Sequence, residues 1–154
     1  MIKKPTRGFT LLELMVALGI LTIVSTGVFV SLRSNESNTE QRNLQNASLA
    51  LQADLRYVQR RAIMEGQSYR ILFEIFNNRY HIQINTTPRQ TIRIIYFQDG
   101  VRLTHMTLRN ELTFYPRGTI SNATTITLIN GRYQQQLTTT VSGGRAQIGD
   151  IGPA

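Results

Sequence analysis

The chain has no cysteine among its 154 residues. That excludes a disulfide framework and all thiolate chemistry. Its only histidines are His81 and His105. Two histidines without a cysteine leave no ligand set for structural zinc. His81 sits mid-strand in an alternating stretch and reads as a packed or surface residue. Phosphate-loop, dinucleotide-loop and zinc-protease motifs are missing. Asp54, Asp99 and Asp150 fall in a helix, a turn and a tail, so no acid/base pair forms. No enzyme activity, cofactor or metal is expected. No internal repeat or low-complexity segment is seen.

Lysine is almost missing as well, with Lys3 and Lys4 its only examples. The formal charge is +8, from 17 basic and nine acidic residues. Beyond residue 8 the basic residues are all arginine, 14 of them, for a balance of +5. Arginine offers a planar fork that suits phosphate and carboxylate, although genome composition produces the same bias.

What is present begins at Phe9. From Phe9 to Leu32 there are 24 residues and one charge, Glu13. A helix of that length is roughly 36 Å long, enough for a ~30 Å hydrocarbon core. Lys3, Lys4 and Arg7 precede it and place the N-terminus on the cytoplasmic side. A carboxylate in such a run is costly and calls for a cationic partner. The run is too long for a secretory signal peptide, which also lacks an acid.

After Arg33 the composition turns polar, and no proline interrupts the helix. Leu44, Ala47, Leu51, Leu55, Val58 and Ala62 then recur at spacings of three and four, one apolar stripe. Gly66 is the expected C-cap. From Ser68 the period becomes two. Strands are expected over 69–76, 79–85, 91–98, 111–115, 126–129 and 133–141, with an edge strand over 145–148. Asp99-Gly100 reads as a hairpin turn into Val101–Leu103, and the last six residues as a frayed tail. The fold class is α+β: a long N-terminal helix, apolar in its first half, packed on an antiparallel sheet domain like a lollipop. The divisions are 1–8, 9–32, 33–66 and 67–154, one domain plus an anchor.

The stretch Gly8-Phe9-Thr10-Leu11-Leu12-Glu13-Leu14 resembles the class III signal of type IV pilins and pseudopilins. A short basic leader, glycine, phenylalanine and a glutamate fifth from the phenylalanine carry the likeness. The resemblance implies cleavage after Gly8 by a membrane prepilin peptidase and methylation of the new Phe9 amine. It also implies a partner for Glu13: the Phe9 amine of a neighbouring subunit, a pair that sets register in the filament. The product would be a single-pass protein of the inner membrane. Its globular domain would be extracytoplasmic and its contacts would be other pilins or pseudopilins in a filament.

The helix end from Leu51 to Ile63, continuing to Gly66-Gln67, is similar to the GspH/FimT branch, where the helix leads directly into strands. Phe114-Tyr115-Pro116-Arg117-Gly118 and the later Gly144-Arg145 also resemble it. That branch holds minor pseudopilins of type II secretion and minor pilins of type IV pili. Some of its pilins bind DNA through Gly-Arg-x-Arg. Here the stretch is Gly144-Arg145-Ala146-Gln147, with glutamine at the second arginine position. Arg132 in the preceding hairpin is the candidate substitute. Two readings stay open: a structural minor subunit of a secretion or pilus filament, and a DNA-binding minor pilin of a competence pilus.

Overall fold

The computed structural model describes residues 11–107, 109–141 and 143–154, with no side chain described from 26 to 36. Gly8 and Phe9, and with them the leader boundary, lie outside the described residues. The chain divides into two compact units, Met1–Asn38 and Thr39–Ala154. Helix α1 spans Leu11–Glu65. It ends where Gly66 adopts φ +64°, a left-handed conformation that glycine enters without steric cost.

Nine strands follow: β1 Tyr69–Glu74, β2 Arg79–Ile84, β3 Gln90–Tyr96, β4 Arg102–Met106, β5 Glu111–Phe114, β6 Thr124–Asn130, β7 Tyr133–Thr139, β8 Ala146–Ile148 and β9 Gly152–Pro153. They form two antiparallel sheets. One has the order β3-β2-β1-β5. The other has the order β4-β6-β7-β8, with β9 also on β7.

The expected stripe on the helix is the one that is buried. Leu44, Leu51, Leu55, Val58 and Ala62 are at most 1% exposed. They share one hydrophobic cluster with the inner faces of both sheets. Tyr69, Ile71, Phe73, Tyr80, Ile82, Leu112 and Phe114 come from the first sheet. Leu103, Met106, Ile126, Leu128, Leu137 and Ala146 come from the second. Register follows the alternation: Ile71 faces Ile82 and Phe73 faces Tyr80 across β1 and β2. The Phe73 and Tyr80 rings lie 5.6 Å apart, tilted, a favourable aromatic separation.

Two expectations change. Asp99-Gly100 does form a tight turn, with φ +56° and +79° and Val101 N–H donating to Gln98 O at 3.0 Å. Its flanking strands do not pair: β3 lies on β2 and β4 on β6. Two asparagines redirect the chain. Asn78 donates to Val101 O and accepts from Leu103 N–H, at 2.8 and 2.9 Å. Asn130 donates to Asp99 O at 3.1 Å. The C-terminal tail is not frayed. β9 pairs with β7, and Ala154 N–H donates to Arg132 O at 2.9 Å. Backbone bonds make that contact, so no side-chain period announced it.

Ser48 interrupts the stripe. It is fully buried and its hydroxyl has no hydrogen-bond partner. An unsatisfied buried hydroxyl costs about 1–3 kcal/mol. Ser48→Ala is therefore expected to leave the melting temperature equal or higher. Leu55→Ala, two turns along the same stripe, is expected to lose about 2–5 kcal/mol in chemical denaturation. Equal losses in the two variants would contradict this account of the core.

Candidate assembly and charge sites

The described side chains of the first unit make an unusual surface. Leu11, Leu12, Leu14, Met15, Val16, Leu18, Ile20, Leu21, Ile23 and Val24 are all more than half exposed. They occupy every face of the helix. Glu13 stands exposed among them in the first turn. The hydroxyls of Thr22 and Ser25 donate to Gly19 O and Leu21 O, each at 2.7 Å, so the helix itself satisfies them. A Cβ on Gly19 would meet nothing within 4 Å. Among the described residues no helix is long and apolar enough to cross a membrane. The apolar run 9–32 extends beyond the described side chains at both ends.

The second unit carries charge in two distinct forms. Over the outer side of the first sheet, acids and arginines are matched. Arg79 donates to Glu74 at 2.7 Å and to the Tyr96 hydroxyl at 3.0 Å. Arg70, itself buried, donates to Glu111 and Gln83 at 2.8 Å each. His81 is buried beside them, with Nε2 at 2.9 Å from Glu74 but off the hydrogen-bonding direction. That agrees with a packed histidine. On the helix, Arg93 reaches Asp54 at 2.6 Å, and Asp54 accepts from the Tyr80 hydroxyl at 2.6 Å. Burial, then Asp54, holds the Tyr80 hydroxyl protonated well above its ordinary range.

The other form is unmatched. Arg56 and Arg60 stand one turn apart on α1, and Arg145 faces them from the loop before β8. With Gln59, Gly143, Ala146 and Gln147 they line an open groove of about 520 Å³. None of its lining residues is acidic. Two glutamines fix the walls. Gln52 donates to Ala146 O, and Gln59 to both Gly118 O and Gly143 O, at 2.7 Å each. Gly144 has φ +55°, and a Cβ there would reach 2.5 Å from Gln59 Nε2 and 3.0 Å from Gly118 O. Only glycine lets the loop lie this close.

The structure therefore separates the two arginines that the sequence grouped for DNA contact. Arg132 lies in the β6–β7 turn and Arg145 beyond the other end of β7, where Thr140 N–H meets Arg145 O. At ~3.3 Å per residue they are roughly 25 Å apart along the strand. Arg132 therefore does not adjoin Arg145. Arg56 and Arg60 are Arg145's neighbours instead. Their four-residue spacing off the apolar stripe was readable. The arrival of residues 143–147 beside them was not. Among the described residues no group of three or more His, Asp or Glu is placed to hold a metal ion.

A long helix leading into two antiparallel sheets is a pilin-like fold. Comparison with known proteins agrees. Residues 47–144 match the family of the type II transport protein GspH, and residues 3–29 match the prokaryotic N-terminal methylation motif. The chain belongs to the GspH family. Among solved structures, the minor pseudopilin EpsH from the type 2 secretion system of Vibrio cholerae is similar at TM-score 0.58 and 14% identity, over 72% of this chain and 97% of its own. The type IV minor pilin FimU of Pseudomonas aeruginosa is similar at TM-score 0.61 and 19% identity, over 73% and 92%. The competence protein ComGD of Bacillus subtilis is 28% identical over 92% of both chains.

Stability should report the matched charges. Glu65 is held below its ordinary 4.5 by Arg61, then Tyr69. Glu74 is held below the same value by Asn77, then Arg79. A depressed folded-state pKa gives stability that is present above the unfolded value and lost as pH falls through the folded one. Tyr69 and Tyr80 are raised, so their share is present below pH 10 and lost on going higher. The melting temperature is expected to hold level between about pH 5 and 9 and to fall on both sides. Glu74→Gln should shrink the acid-side drop in thermal melts; an unchanged drop would contradict the assignment.

Proposed function

We propose that this chain is a minor subunit of a type IV pilin-like filament, of either a type II secretion system or a type IV pilus. It is cut after Gly8 by a prepilin peptidase and methylated on Phe9. The run 9–32 holds it in the inner membrane with its N-terminus cytoplasmic, and its strands lie outside the cytoplasm. The divisions 1–8, 9–32, 33–66 and 67–154 correspond to leader, anchor, helical continuation and globular domain.

One observation carries this reading: over the described residues 11–25, an apolar helix surface is exposed on all sides and bears one charge, Glu13. Exposed apolar patches of that extent mark protein or membrane contacts. Inside a filament the burial of a carboxylate is costly, and a pair with a neighbour's Phe9 amine offsets that cost while fixing axial register. In cells with an active prepilin peptidase, mass spectrometry of the N-terminus should find methylated Phe9. Glu13→Ala should enter the membrane normally yet reach the sheared filament fraction at less than a tenth of the wild-type amount. A retained Met1 terminus, or wild-type incorporation of that variant, would refute the proposal.

A second reading, a minor pilin of a DNA-uptake filament, is supported by the likeness to a competence protein along nearly the whole chain. Phosphate contacts make DNA binding fall steeply with salt. A mobility shift of the full-length protein in detergent, with Arg132→Ala and Arg145→Ala as comparisons, is its test. No shift near physiological salt would exclude it.

A further inference from the structure

We propose that the groove formed by Arg56, Arg60 and Arg145 is a socket for an acidic surface segment of an adjoining filament subunit. This rests on the filament reading above.

What distinguishes the groove is that three unpaired arginines meet in it. Arg61, Arg70, Arg79 and Arg93 are ion-paired to Glu65, Glu111, Glu74 and Asp54. Among the described residues Arg56, Arg60 and Arg145 make no ion pair, and all three are exposed. Three like charges converging without a carboxylate repel one another, and an external anion relieves that repulsion.

The walls are built before any ligand arrives. Gln52 and Gln59 clamp the 143–146 loop to the helix through two bonds of 2.7 Å, to Ala146 O and Gly143 O, and Gly144 permits the approach. A fixed groove loses little ordering entropy on binding. Guanidinium forks take carboxylates in bidentate pairs, which supply orientation as well as attraction.

Shape selects the class of anion. A nucleic-acid surface is a basic stripe that tracks a backbone. Here the charge is local: Arg56 and Arg60 are about 6 Å apart along the helix. Arg132 lies roughly 25 Å away at the far end of β7. The groove of about 520 Å³ accommodates a short segment with two or three negative groups. A subunit in a filament has its neighbours at high effective concentration, so even weak pairs of this kind fix contact.

The test uses full-length protein, in cells and in detergent. In cells, Arg56→Glu/Arg60→Glu should be processed and membrane-inserted as wild type but fall at least tenfold in the sheared filament fraction. Arg132→Glu alters charge far from the groove and should assemble normally. In detergent, a fluorescein-labelled hexaglutamate peptide should bind the wild type. The double variant should bind it at least fivefold more weakly and Arg132→Glu unchanged. A stronger response to a hexathymidylate oligonucleotide than to the peptide would overturn the choice of carboxylate. Unchanged incorporation of the double variant would overturn the socket. Wild-type protein absent from filaments, with peptide binding intact, would instead defeat the underlying filament reading.

Discussion

One helix carrying two different surfaces imposes the constraint on which everything else depends. Between residues 39 and 65 one apolar stripe is buried against the sheets that follow it. Between residues 11 and 25 the helix is apolar on all sides. A sheet covers one face of a helix, never the whole circumference. The stripe is thus covered within the chain by folding, and the apolar surface of residues 11–25 is left exposed.

The folded unit meets its own requirement without any covalent staple. A core built on a helix of 27 residues and nine short strands leaves many loops to secure. Amide side chains secure them. Asn78 and Asn130 tie the Asp99-Gly100 turn between the two sheets, Gln59 ties the turns at 118 and 143 to the helix, and Gln52 ties Ala146 to it. Each such bond is worth only about 0.5–1.5 kcal/mol net. Together they fix where turns go, which hydrophobic burial alone does not specify.

Those ties mark the limit of what the residues disclose in order. The helix, its buried stripe, its glycine stop and the β1–β2 register follow from period and turn chemistry, because side chains three, four or two apart share a face. The turn at Asp99-Gly100 was visible for the same local reason. Its role was not, because the two strands it joins belong to different sheets and the deciding contacts come from Asn78 and Asn130, at positions distant in sequence. The tail strand was invisible because its bonds to β7 are made by backbone alone. At the candidate sites, the acid of the first turn stood out against its apolar surroundings. The arginine groove did not, since half of it is delivered by a loop some 85 residues further along the chain.

The all-arginine composition also divides once the partners are known. Arg79 binds a carboxylate, reaches the Tyr96 hydroxyl and stacks 5.6 Å from that ring. Arg61 does the same with Glu65, the Tyr57 hydroxyl and the rings of Tyr57 and Tyr69. Arg70 spans Glu111 and Gln83 with separate nitrogens of one fork. An ammonium is a compact point charge and cannot hold two partners at fixed angles while stacking on a ring. At these positions lysine would sacrifice geometry, so structure supplies a cause for arginine beyond any genomic bias. At Arg42, Arg89 and Arg102 nothing in the structure explains arginine over lysine. The pressure is therefore local. It acts where a cation must hold a planar arrangement, and in the groove that arrangement is already built around an anion the chain does not itself supply.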